Sequence, residues 1–174
     1  LGRDALTPFL ERPEQGVFVL CKTSNPGADD LQSLRVNGEP LYLHVARQAN
    51  TWSEHNNLGL VIGATDTQAL EKVRHAVPEL WMLVPGVGMQ GGHLAAALHA
   101  GLRYDGLGVL VNASRMIASA ADCSEASAQL RDTINTHRKS AISPRKTSDE
   151  ERLATTLIES GCVRFGNFTL KSGG

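Results

Sequence analysis

Leu83-Val84-Pro85-Gly86-Val87-Gly88-Met89-Gln90-Gly91-Gly92 is an apolar run that ends in glycines. Glycines bare the backbone N–H groups and let a chain turn tightly around an anion, and one amide side chain, Gln90, stands among them. The pattern recurs where Gly108-Val109-Leu110-Val111 runs into Asn112-Ala113-Ser114-Arg115, which offers a guanidinium suited to a bidentate phosphate contact. Two consecutive strand ends are thereby predicted to converge on one anion.

Working outward, the same strand–loop–helix unit repeats. Gly16 to Cys21 is a short run of β-favouring residues that breaks into the turn cluster Lys22-Thr23-Ser24-Asn25-Pro26-Gly27. From Pro40 to about Asn56, Leu41, Val45, Ala46, Ala49 and Trp52 recur at helical spacing. Leu58 to Ala64 reads as a second strand, and Thr65-Asp66 caps a helix carrying Leu70, Val73 and Val77. Leu80 to Val84 is the third strand, with an alanine-rich helix from His93 to Leu102. Gly108 to Val111 is the fourth, with a loop over Asn112 to Arg115 and a helix from about Ser124 to Arg138.

Near-continuous apolar strands alternating with amphipathic helices imply a parallel sheet covered by helices. Four βα units fit the second half of an eight-fold (β/α) barrel, a TIM barrel, whose last two strand-end loops commonly hold phosphate. A doubly wound open sheet is the rival, but its phosphate loop follows the first strand as G-x-G-x-x-G, whereas here the glycines follow the third.

Composition narrows the partners. At 174 residues, 41% hydrophobic, 20% charged and net charge −1, the chain has the composition of a soluble domain with no basic excess for nucleic acid or an anionic membrane. Cys21, Cys123 and Cys162 lie far apart without C-x-x-C spacing, which reads as reduced intracellular thiols rather than zinc ligands or a disulfide framework. No apolar run approaches the roughly 18 residues of a membrane span. The chain starts without Met and stops at Lys171-Ser172-Gly173-Gly174, so it reads as an excerpt of something longer. After Lys139 the sequence turns polar and charged, and a linker is expected over 139–152, between a first domain at 1–138 and the start of a second α/β domain at 153–174.

The loop at Lys22 to Gly27, the strand end Gly59 to Thr65, the glycine loop Pro85 to Gly92 and the segment Asn112 to Arg115 together resemble, in order and spacing, orotidine 5′-monophosphate decarboxylase over about residues 1 to 138. Leu157 to Gly173 resembles the opening of orotate phosphoribosyltransferase, as in fused UMP synthases of the decarboxylase-first type. The resemblance implies decarboxylation of orotidine 5′-monophosphate to UMP in pyrimidine biosynthesis, without cofactor or metal, and a transferase domain that uses Mg²⁺. It implies that Ser24 hydrogen-bonds the pyrimidine and that Gln90 and Arg115 clasp the 5′-phosphate. The backbone at Gly91 and Ser114 completes the cradle, and Lys171 contacts phosphoribosyl pyrophosphate. It further implies a homodimer with its active sites near the interface, in the cytosol or in a glycosome. The family's catalytic lysines and aspartates, in a D-x-K-x-x-D pattern, have no counterpart in these residues. On its own the chain is therefore expected to be inactive.

Each residue also has a plainer reading. Gln90 and its glycines fit a tight strand-to-helix turn, Arg115 a solvated surface arginine, and Ser24 a turn cap. The six histidines read as structural or surface residues, with His93 nearest the glycine loop, and Trp52 and Trp81 read as core. Two further functions stay open: a (β/α)8 enzyme acting on another sugar phosphate, and a non-catalytic phosphate-binding or assembly module.

Overall fold

The computed structural model describes residues 2–87 and 92–142. Gln90, Gly91, Lys171, Cys162, the residues of the expected second domain and most of the expected linker lie outside the described residues.

The elements in chain order are α1 (Arg3–Leu10), β1 (Val17–Lys22), a 3-10 turn (Pro26–Asp30), β2 (Arg35–Val36), β3 (Glu39–Pro40), α2 (Leu41–Trp52), β4 (Leu58–Ile62) and α3 (Thr67–Ala76). They continue with β5 (Trp81–Pro85), α4 (Gly92–Gly101), β6 (Val109–Asn112), α5 (Ser114–Ala118) and α6 (Cys123–Ala141). Strands β1, β4, β5 and β6 form one parallel sheet in that order. This is the predicted set of four βα units, one half of a barrel, with strand and helix bounds within a few residues of those expected.

The two faces of the sheet differ. On one, Val19, Cys21, Leu58, Leu60, Ile62, Met82 and Val84 are buried under Ala46, Ala49, Leu70, Val73, Ala97 and Leu98 of the covering helices. On the other, the register aligns Leu20 with Val61, Val61 with Leu83 and Leu83 with Leu110. That row crosses all four strands, and its outer members, Leu20 at 56% and Leu110 at 44%, stay exposed. One face packed by helices and the other an apolar row exposed at both ends among the described residues is the geometry of a barrel wall, whose inward side chains fill layers with those of the remaining strands.

Local signals account for the element ends. Asp66 Oδ1 accepts the Ala69 N–H at 3.0 Å and caps α3, and Asp122 Oδ1 accepts from Ser124 and Glu125 at 2.8 and 2.9 Å to cap α6. Arg74 is a staple under the sheet: its guanidinium donates to the carbonyls of Gly101, Pro78 and Leu80 at 2.8 Å and of Gly108 at 2.9 Å. Burial pushes its pKa down to about 10, which still leaves it charged at neutral pH.

Four features depart from the sequence reading. Asn112 to Arg115 is not a loop throughout, because β6 runs to Asn112 and α5 starts at Ser114. Lys22 belongs to β1 rather than to the turn cluster. Helix α1 and the β2–β3 hairpin were not foreseen, although Asn37-Gly38, with φ of 52° and 85°, is the sequence signature of its turn. Helix α6 continues through Ala141, so the first residues of the expected linker are helical.

Candidate functional site

Parallel strands place all their carboxyl ends at one rim, so the turns after β1, β4, β5 and β6 are neighbours there. Backbone hydrogen bonds lace them together: Gly63 N–H donates to Lys22 O at 2.9 Å and Ala64 N–H to Pro85 O at 2.9 Å. Ser24, just past β1, stands against Gly63. A Cβ on that glycine would lie 2.8 Å from Ser24 Cβ and 3.1 Å from Ser24 N, so the absence of a side chain at Gly63 is what admits Ser24. Gly86, at φ +90°, makes the left-handed turn that ends β5, and a Cβ on it would lie 4.0 Å from the Ser24 hydroxyl oxygen. That hydroxyl has no hydrogen-bond partner among the described residues and is exposed at the rim.

A network beneath fixes the Ser24 turn. Lys22 is only 4% exposed, and its Nζ donates to Asp29 Oδ1 at 2.6 Å and Ser33 Oγ at 3.2 Å. Ser33 Oγ donates to the same carboxylate oxygen at 2.5 Å. The Lys22 hydrogen bond, followed by that of Ser33, holds the Asp29 carboxyl below the usual range. Lys22 is thus committed to a structural ion pair. Gln32 Oε1 accepts Thr23 N–H at 2.8 Å, and Thr23 Oγ1 donates to Asn25 Oδ1 at 2.6 Å.

The turns after β5 and β6 line one cavity of about 420 Å³, bounded by Pro85, Gly86, Val87, Asn112, Ser114 and Arg115 among others. Arg115 is exposed, and its guanidinium has no ion-pair or hydrogen-bond partner among the described residues. A cation without a partner among the described residues, at the wall of a cavity, is available to an anion. Ser114 is already engaged: its N–H donates to Asn112 Oδ1 at 3.3 Å and its hydroxyl to the same oxygen at 2.8 Å. An anion taking the Ser114 N–H has to displace that long contact. This Asx turn was legible as Asn112-Ala113-Ser114 but was not singled out from the sequence.

The structure therefore brings Ser114 and Arg115 together with the start of the glycine loop and puts Ser24 on the adjoining rim. Among the described residues no group of three His, Cys, Asp or Glu side chains could hold a metal ion. His93 is exposed on α4. Trp81 is partly buried beneath the Arg103 guanidinium, 5.4 Å from its ring centroid, in agreement with a packing role.

Residues 1–130 match the family described as orotidine 5′-phosphate decarboxylase / HUMPS. The chain belongs to that family. An orotidine 5′-phosphate decarboxylase of Halorubrum lacusprofundi is 58% identical over 103 residues, which are 59% of this chain and 37% of that protein. The solved Leishmania donovani OMP decarboxylase is 51% identical with a TM-score of 0.74, over 79% of this chain and 53% of that one. Leishmania donovani UMP synthase is 52% identical with a TM-score of 0.76, over 99% of this chain and 38% of that one. The chain thus spans about half or less of the length of these family members. The fold they share with it is a partial barrel. No helix among the described residues is long and apolar enough to cross a membrane.

Proposed function

We propose that the full-length protein decarboxylates orotidine 5′-monophosphate to UMP in pyrimidine biosynthesis, and that this chain supplies the half of the barrel that holds the nucleotide. The observation that carries the reading is the juxtaposition of the Arg115 guanidinium, without a partner among the described residues, with the glycine-led turn after β5, on a rim where Ser24 stands two strands away. Arg115 and Gln90 clasp the 5′-phosphate with the backbone at Gly91 and Ser114, and Ser24 hydrogen-bonds the pyrimidine. The catalytic lysines and aspartates of the family are supplied from outside these residues.

Phosphate binding remote from the reacting carbon is useful because it is energy that orders the site and excludes water as the carbanion develops. The decarboxylation is assigned no cofactor. The alignment over 99% of this chain with a UMP synthase supports a transferase domain beyond residue 152, with Lys171 toward phosphoribosyl pyrophosphate and Mg²⁺ as its metal. A homodimer in the cytosol or a glycosome completes the assignment, with no nucleic-acid or membrane partner.

Titration of the full-length protein with UMP tests this. Arg115→Ala removes charge-assisted hydrogen bonds of about 1.5–3 kcal/mol, so affinity is expected to fall roughly 10- to 150-fold, and kcat with it. Unchanged affinity removes the phosphate assignment. Equal competition by ribose 5-phosphate and UMP would instead favour an enzyme of another sugar phosphate.

A further inference from the structure

We infer that Gln32 is a positioning residue for Ser24: its side-chain amide holds the Thr23 N–H and, through the Thr23 hydroxyl, the Asn25 side chain, and so sets where the Ser24 hydroxyl meets the base. The inference rests on the reading of Ser24 as the pyrimidine contact.

Both ends of the Gln32 amide are used. Oε1 accepts Thr23 N–H at 2.8 Å, and Nε2 donates to Thr23 Oγ1 at 3.0 Å. Thr23 Oγ1 passes its own proton on to Asn25 Oδ1 at 2.6 Å. Residues 23 and 25 are therefore tied to one amide, and Ser24 is the residue between them. The amide is itself fixed: Gln32 N–H donates to Ala28 O at 2.8 Å, and Gln32 O accepts Tyr42 N–H at 3.0 Å. Tyr42 is buried in α2, whose Leu43 and Ala46 pack in the core. The sequence of contacts runs from the core through α2 to Gln32, then to Thr23 and Asn25, and ends at a serine with no hydrogen-bond partner of its own among the described residues.

Gly63 at the end of β4 and Gly86 at the end of β5 stand beside Ser24 but give it no polar contact. They limit where Ser24 can go, and Gln32 selects the position within that space. Without the Gln32 amide, the part-buried Thr23 N–H is unpaired, and the turn is held only at its ends, by Gly63 N–H on Lys22 O and Ala28 N–H on Asn25 O. The hydroxyl is then no longer preorganised, and nucleotide binding has to order it.

The test is calorimetric titration of the full-length protein with UMP and with ribose 5-phosphate, for wild type, Gln32→Ala, Ser24→Ala and the double variant. Gln32→Ala is expected to weaken UMP about fivefold, the loss of one hydrogen bond, and to leave ribose 5-phosphate within about twofold of wild type. In the Ser24→Ala background Gln32→Ala adds nothing further, because both changes remove the same contact. Gln32→Glu keeps an acceptor for Thr23 N–H and restores most of the affinity. Thr23→Val, which removes the hydroxyl that joins Gln32 Nε2 to Asn25 but keeps the Thr23 N–H bond to Gln32 Oε1, is the second variant and shows the same selective loss. Additive effects in the double variant, or equal weakening of both ligands by Gln32→Ala, overturn the positioning role. Unchanged UMP affinity in Ser24→Ala overturns it too, and shows that the base contact was the premise that failed.

Discussion

A methyl group at position 63 tests how tightly the rim is built. An alanine there would put its Cβ 2.8 Å from Ser24 Cβ, 3.1 Å from Ser24 N and 3.2 Å from Ser24 Oγ. Carbon atoms settle at about 3.5–4.0 Å, so the β1 and β4 strand ends have to separate by about 0.7–1.2 Å. One of the crowded atoms is backbone, so a rotamer change of Ser24 does not relieve the clash. Gly63 is not among the glycines with positive φ, and the cost is therefore packing rather than backbone strain. Overpacking of this size costs about 1–3 kcal/mol of stability. Displacing Ser24 by about 1 Å also loses the proposed hydrogen bond to the base, about fivefold in affinity, and misaligns a reacting substrate for a loss of up to roughly 10²-fold in kcat. Gly38→Ala is the control: nothing lies within 4 Å of its Cβ, but φ is +85°, so it costs roughly 1–2 kcal/mol of stability and leaves nucleotide binding alone. Urea unfolding and UMP titration of both variants of the full-length protein separate the two effects. A Gly63→Ala protein that binds UMP as wild type does would refute the account of the rim.

Arg74→Met leaves five backbone carbonyls without their shared donor and should lower stability by at least about 3 kcal/mol, read as a fall in urea midpoint at unchanged slope. Burial pushes the Cys21 thiol up to about 12. Below about pH 9 it is protonated folded or unfolded and contributes no pH dependence; between about 9 and 12 only the unfolded chain releases the proton, so stability falls as pH rises, by up to about 1.4 kcal/mol per pH unit. Cys21→Ala should flatten that alkaline slope, and equal slopes in urea midpoints from pH 8 to 10.5 would contradict it. Asp29 works in the opposite direction: its carboxyl is depressed by Lys22 and Ser33, so its contribution is present above about pH 4 and is lost as pH falls below it. Amide exchange in the Thr23–Ser33 segment should quicken there, and in Asp29→Asn it should be fast at every pH.

The elements that the sequence made legible are those whose pattern repeats. Apolar strands ending in Gly63, Gly86 and Asn112, each followed by a helical period, leave little choice of fold once four such units follow one another. Ser114 and Arg115 were legible for the same reason, since a strand end in a parallel sheet lies at the rim by topology. The hidden parts depend on contacts across sequence distance. Lys22 looked like a turn residue until Asp29 and Ser33 closed on it, and Gln32, nine positions beyond Thr23, carries no local sign that its amide returns to the rim. The Asn112 contact to Ser114 was local and available, but the arginine beside it drew the reading. Helix α1 and the short β2–β3 hairpin belong to no repeated unit, and the unit count passes over them.

The central claim is that the anionic end of a nucleotide sits between the turns after β5 and β6. A crystal structure of the full-length protein with UMP measures this directly. The account predicts a phosphate oxygen within about 3 Å of the Arg115 guanidinium, inside the cavity bounded by Pro85, Gly86 and Ser114, with the base toward Ser24. A phosphate bound elsewhere, with Arg115 turned to solvent, would contradict it.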